Sequence, residues 1–192
     1  MIWFSVALAQ QTLTVPGDYA TIQEAVDNAV DGDAIALGPG TFVEDVQSTV
    51  RLEVFGAGID DTTWVSTTFP ALHTTRELVL SELTVTGASG VFVDGIGLSD
   101  VEVHDVRFSA VEQLPLTITD STNTDMPDVA KLERLQSLGN GRTYAVGWVQ
   151  AYADDVLVSD SSFVDNQSTS SVGALVVSGD VVRIERNTFL NN

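Results

Sequence analysis

Two short stretches carry side chains that could move protons. Val101, Glu102, Val103 and His104 alternate apolar and polar, so on a strand Glu102 and His104 share the side opposite the valines. Val182, Arg183, Ile184 and Glu185 repeat the pattern. An acid, a histidine and an arginine on one outer face could abstract a proton beside a carboxylate, the step a lyase needs. The same side chains equally suit the solvated exterior of a folded sheet. A second group, Tyr144, Val146, Trp148, Gln150 and Tyr152, falls on one side of a strand whose other side is Ala145, Gly147, Val149 and Ala151. Flat aromatics beside an amide complement the faces of sugar rings; under a covering loop they would simply pack. A third group, Asp154, Asp155, Asp160, Asp165 and Asp180, offers the oxygen ligands a hard cation such as Ca2+ takes, or acidic decoration of a hydrated surface. None of these aspartates forms an EF-hand or a nonapeptide calcium repeat.

The background chemistry narrows the field. The 192 residues contain no cysteine, which excludes disulfides, zinc-thiolate centres and thiol nucleophiles. With 27 acidic against 8 basic side chains the formal charge is -19, which repels phosphate backbones and argues against nucleic-acid binding. Partners should be neutral or cationic, or anionic through a bridging metal. No phosphate-cradling glycine loop, nucleophile elbow or paired metal-histidine motif occurs. Apolar residues make up 44%, enough for a packed core.

These side chains must be positioned by short elements. Met1 to Ala9 is almost wholly apolar and ends in Ala7-Leu8-Ala9, the small-x-small pattern of a signal-peptidase site, so residues 1–9 are expected to be a truncated signal peptide and the protein secreted or at the cell surface. No other stretch approaches the roughly 18 apolar residues of a membrane span. Thr12 to Val15 reads as a strand and Pro16-Gly17-Asp18 as a turn. Thr21-Ile22-Gln23-Glu24 is a capping box, predicting a helix over about 21–30 with Ile22, Ala25, Val26 and Ala29 on one face. Strands follow at Asp33 to Leu37 and Thr41 to Val46, separated by Gly38-Pro39-Gly40.

Beyond that point the chain repeats. Leu80 to Val85, Val103 to Phe108, Val158 to Phe163 and Ile184 to Phe189 each join two apolar anchors across four positions, and the first anchors stand 23, 55 and 26 residues apart. The interval of 55 is about two periods. Period-two alternation makes each segment a strand, and the five-residue offset makes a bend. With a third strand before each unit, as at Gly90 to Val93 and Gly173 to Val177, the result is a solenoid whose coils bury a shared apolar axis. The stretch from about 120 to 143 interrupts the repeat and is expected to be a loop insertion. Within it Val129, Leu132 and Leu135 predict a short amphipathic helix between Met126 and Leu138, carrying Lys131 and Arg134, with Arg142 beyond.

The run Val15 to Val26 (VPGDYATIQEAV), followed by Asp31-Gly32-Asp33 and Pro39-Gly40-Thr41-Phe42-Val43-Glu44, resembles the opening of parallel β-helix proteins of the pectin-lyase-like superfamily. Val182 to Phe189 is similar to their coil consensus, with Asn187 at the bend. The resemblance implies an all-β, right-handed parallel β-helix of about six coils over residues 10–192, its first coil capped by the helix. Two family signatures do not carry over. The nearest match to the lyases' apolar-Trp-apolar-Asp-His strand is Val101-Glu102-Val103-His104-Asp105, with its last pair reversed and Glu in place of Trp. The methylesterases' Asp-Phe-aromatic-Phe-Gly segment has no counterpart. No cap is legible at Phe189-Leu190-Asn191-Asn192, so more coils are expected to follow. The function expected is recognition of an extracellular polysaccharide by a monomer, as part of a lyase-like enzyme, with a surface spacer as the alternative.

Overall fold

A computed structural model describes residues 10–94, 100–119, 127–141, 149–168 and 173–192. In chain order the first elements are β1 (Thr12–Val15), α1 (Ile22–Asn28), β2 (Asp33–Leu37), β3 (Gly40–Val43), β4 (Val46–Ser48) and β5 (Leu52–Phe55). Three long strands follow that turn corners without losing their pairing: β6 (Thr62–Thr74), β7 (Leu78–Asp94) and β8 (Asp100–Val111). The remainder are short: β9 (Leu116–Thr119), β10 (Val129–Glu133), β11 (Gln136–Leu138), β12 (Val149–Tyr152), β13 (Asp155–Ser159), β14 (Ser162–Val164), β15 (Leu175–Ser178), β16 (Val181–Glu185) and β17 (Thr188–Leu190).

Every pairing between them is parallel, and the chain winds into a solenoid of about six three-sided turns. On the first face the inward column runs Leu13, Ile35, Val54, Leu80, Val103, Leu132, Val158 and Ile184. On the second it runs Phe42, Trp64, Val85, Phe108, Ser137, Phe163 and Phe189. On the third it runs Val46, Leu72, Val91, Leu116, Val149 and Leu175. Aliphatic side chains thus stack on aliphatic ones in the first and third columns, and aromatic rings dominate the second, at the strand spacing of about 4.8 Å. Phe163 and Phe189 lie face to face, with ring centres 4.9 Å apart and planes 6° from parallel.

Two devices let short strands turn corners. At the bend from the first to the second face one residue per coil adopts a left-handed backbone: Glu82, Asp105, Arg134, Asp160 and Arg186, with φ between 52° and 57°. That single residue shifts the phase of the alternation, so the apolar residues on either side both point inward. At the next bend an asparagine ladder closes the polar backbone. Asn140 Nδ2 donates to Phe108 O at 3.1 Å, Asn166 Nδ2 to Ser137 O at 2.9 Å and Asn192 Nδ2 to Phe163 O at 2.8 Å. The amide oxygens also stack, with Asn140 Nδ2 donating to Asn166 Oδ1 and Asn166 Nδ2 to Asn192 Oδ1, both at 2.9 Å. Asn140 and Asn166 are buried, and so is Ser137, whose hydroxyl joins the ladder at 3.2 Å from Asn166 Oδ1. A serine in a phenylalanine column is therefore satisfied.

The helix forms as its sequence predicts. Thr21 accepts from Glu24 N at 3.1 Å, and Ile22, Ala25 and Val26 are buried against β1, β2 and β4. The remaining free N–H groups of the first turn find a partner from far along the chain. Glu44 Oε1 accepts from Ile22 N at 2.9 Å and Oε2 from Gln23 N at 3.0 Å. No described helix is long and apolar enough to cross a membrane.

One expectation is corrected. Residues 129–133 and 136–138 are the strands β10 and β11, a regular coil of the solenoid rather than an amphipathic helix on a loop. Ala130 and Leu132 point inward, Arg134 takes the left-handed bend, and Leu135 points inward again. That bend produces the three-residue apolar spacing that imitates a helix. Residues 1–9, 120–126 and 142–148, which hold the expected signal peptide, the rest of the expected insertion, Arg142, Tyr144 and Trp148, lie outside the described residues.

Candidate functional site

The outer side of the first face carries the charge. Register places Glu102, Lys131, Leu157 and Arg183 in one outward column, and His104, Glu133, Ser159 and Glu185 in the next. Glu102 and His104 share a rung. Arg183 and Glu185 share another, three rungs away, which at the strand spacing is about 14 Å. The two halves of the expected acid-histidine-arginine group are therefore on one face but cannot reach the same atom of a substrate.

Glu102 meets Lys131 of the next coil instead, and His104 meets its own neighbour Asp105. His104 Nδ1 lies 3.0 Å from Asp105 Oδ2. Arg134 grips Asp105 in a bidentate pair, Nε to Oδ1 and Nη2 to Oδ2 both at 2.7 Å. Lys131 Nζ lies 2.9 Å from Glu133 and 4.0 Å from Glu102, and Ser159 donates to Glu133 at 3.3 Å. Two coils further the motif repeats: Arg186 holds Asp160 through two bonds of 2.7 Å and Glu185 through one of 2.9 Å. The left-handed bend aims these side chains along the solenoid axis, so Asp105, Arg134, Asp160 and Arg186 form an alternating charge ladder.

The electrostatics follow the geometry. The hydrogen bonds from Arg134 hold the Asp105 carboxyl down to about 2, with His104 adding to the effect. Lys131 pulls Glu133 below the usual carboxylate range, and Glu133 raises the Lys131 ammonium in return. Arg186 lowers Asp160. At neutral pH the acids of this ladder are firmly ionised and answered by cations of the same protein. A general base tuned toward neutrality would need the opposite shift.

The aspartates expected to bind a cation take up two kinds of position. Asp154 and Asp180 occupy neighbouring rungs just ahead of β13 and β16, with Asp155 the first residue of β13, one position on. Asp160 is engaged by Arg186, and Asp165 sits at a left-handed bend with φ 55°. Among the described residues no group of three or more His, Asp or Glu side chains is arranged to hold a metal.

The outer side of the third face is different in character. Gln150 and Tyr152 project outward from β12 and are half-buried, while Val149 and Ala151 face the core, as alternation requires. Their neighbours up the sheet were not foreseen. Register places His73, Phe92, Thr117 and Gln150 in a single outward column. His73 meets Phe92 edge to face, with ring centres 5.3 Å apart and planes at 65°. His73 Nε2 and Thr117 Oγ1 are buried without a hydrogen-bond partner. The signal was the 19-residue step from Leu72 to Val91, shorter than the later periods and broken by a register shift between Ser66 and Pro70.

No protein-family model, curated protein or solved structure matches this chain.

Proposed function

We propose that this protein is a secreted or cell-surface solenoid that recognises an extracellular polysaccharide along the outer side of its third face, within the pectin-lyase-like group that its opening motif resembles. The observation that carries the reading is the outward column in which His73, Phe92 and Gln150 are half-buried, flanked by half-buried Tyr152, with Thr117 buried between Phe92 and Gln150: aromatic rings and an amide on the strands of one sheet face. Flat rings take the apolar faces of sugars, and neighbouring amides and hydroxyls take their hydroxyl groups. A ladder of like positions about 4.8 Å apart suits a linear repeating polymer. The apolar start of the chain, the absence of cysteine and the charge of -19 are compatible with export and a hydrated setting. The test is retention of the full chain on immobilised polysaccharides of several backbone types. Binding to at least one class is expected, weakened several-fold in Tyr152→Ala at unchanged melting temperature, in line with an aromatic contact of about 1 kcal/mol. No binding to any class would overturn the reading.

A second reading, a non-catalytic spacer, is favoured by the first face, where Asp105, Arg134, Glu133, Lys131, Asp160 and Arg186 answer one another. A β-elimination assay on uronate polymers, with and without Ca2+, separates it from a lyase. New absorbance from unsaturated products would assign an enzyme, and silence would favour the spacer.

A further inference from the structure

We propose that the cavity between α1 and β4 receives the last sugar of an uncharged polysaccharide chain, so that the third face takes its polymer by an end. This rests on the polysaccharide reading above and adds where the polymer stops. The outward column that carries His73 and Phe92 begins one rung earlier, at Gln47 of β4. Among the described residues no strand of the third face precedes it, because the chain between β1 and β2 forms α1 instead. The Gln23 side chain of the helix closes the edge of β4 as a neighbouring peptide would: its Nε2 donates to Gln47 O at 3.1 Å, and its Oε1 accepts from Gln47 N at 2.9 Å. A linear ligand lying along the column therefore runs into the flank of the helix.

At that junction lies a cavity of about 520 Å3, within the size range of small-ligand sites. Val26, Ala29 and Val50 give it an apolar part, which suits the C–H face of a sugar. Its polar groups are within reach of solvent: Asp27, Gln47 and Thr49 all line it and are exposed. The Gln47 amide and the Thr49 hydroxyl make no hydrogen bond among the described residues. Asp27 Oδ1 accepts from Gln23 Nε2 at 2.8 Å, which fixes the carboxylate and leaves Oδ2 as an acceptor. Amide, hydroxyl and carboxylate together offer donors and acceptors, as neighbouring sugar hydroxyls require. Asp45 also lines the cavity but is already engaged, accepting from the backbone N–H of Thr67, Thr68 and Phe69 and from both threonine hydroxyls. Two carboxylates and no cation line the site, so an anionic end is repelled. Arg76, whose Nε donates to Thr49 O at 3.2 Å, stays outside the lining. The half-buried rings of His73 and Phe92 follow one and two rungs on, at about 4.8 Å each, where the next sugar lies.

The experiment titrates the full 192-residue chain with linear oligosaccharides of glucan, mannan and xylan backbones and with oligogalacturonate, following heat and the side-chain amide resonances of Gln23 and Gln47. Each neutral oligosaccharide is used unmodified, with a bulky aryl group on its reducing end, and with one on its non-reducing end. At least one neutral backbone is expected to bind and to shift the Gln47 amide. One of its two blocked forms should bind about tenfold more weakly, and the other as the unmodified chain does. Gln47→Ala and Thr49→Val should each weaken binding several-fold at unchanged melting temperature, since neither side chain holds anything in the free protein. Both blocked forms binding like the unmodified chain, or a Gln47 amide that stays unmoved while Tyr152→Ala still weakens binding, would overturn the end site and leave the third-face reading standing. Binding of oligogalacturonate alone would do the same. Binding of no oligosaccharide would remove both.

Discussion

At the scale of single residues, the bend that carries Asp105, Arg134, Asp160 and Arg186 decides how the first face behaves. Each arginine closes two parallel bonds on an aspartate of the preceding coil, so the ladder fastens coil to coil outside the core. Both partners of the Asp105–Arg134 pair are largely exposed, which limits its worth to about 0.5–1 kcal/mol. The pH dependence has a definite sign. The Asp105 carboxyl titrates at about 2 in the folded chain against 3.8 for a free aspartate, so the unfolded chain takes up the proton first as pH falls. The contribution is complete above 3.8 and is lost on the way down to about 2. Asp105→Asn is expected to lower stability at neutral pH by up to about 1 kcal/mol, and to flatten the acid limb of a urea-midpoint profile below pH 4. An acid limb identical to the parent's would show that the pair contributes nothing. None of this is legible in the sequence, where the spacing of Val129, Leu132 and Leu135 predicts a helix carrying Lys131 and Arg134. The offsets from Asp105 to Arg134 to Asp160 to Arg186, 29, 26 and 26 residues, held the answer but require the coil to be recognised first.

At the scale of elements, local chemistry was read correctly and remote chemistry was not. The capping box at Thr21 and Glu24, the apolar face of α1 and the alternating strands all followed from neighbours in sequence. The Glu44 carboxylate that takes two N–H groups of the same helix comes from the next coil, 22 and 21 residues on, beyond any local rule. Glu44→Ala should therefore cost about 1–2 kcal/mol, comparable to losing an N-cap, and a shift in urea midpoint would measure it. An unchanged midpoint would mean that water replaces the carboxylate without loss. The misread coil has the same origin as the missed partner. Leu132 and Leu135 both face inward because Arg134 reverses the phase between them, and three-residue spacing then looks like one face of a helix. Tyr152 and Gln150 go the other way: simple alternation sets them on one side of a strand opposite Val149 and Ala151, and the structure agrees, with that side outward.

At the scale of the whole molecule, nearly every long contact joins a coil to the one before or after it, as in β7 with β6 and β8. Stability is then a sum of neighbour terms, and opening can begin at an end without melting the middle. In this chain β16 and β17 pair on one side only, with β13 and β14, and Val182, Ile184 and Phe189 are 40 to 50% exposed. Amide hydrogen exchange should accordingly run fastest in β15 to β17 and slowest in β7 and β8. Uniform protection along the chain would instead mark a single cooperative unit.

The last intervals of that stack have a practical consequence. Leu132, Glu133, Arg134 and Asn140 recur in place, though not always in kind, 26 residues later at Val158, Ser159, Asp160 and Asn166, and again at Ile184, Glu185, Arg186 and Asn192. Because the hinge alternates arginine and aspartate, a tandem copy of two consecutive 26-residue blocks, spliced in at a corner, would meet matching wall, hinge and amide on both sides, whereas a single block would set like charges against each other. The molecule is built like a tape whose length can be edited two windings at a time.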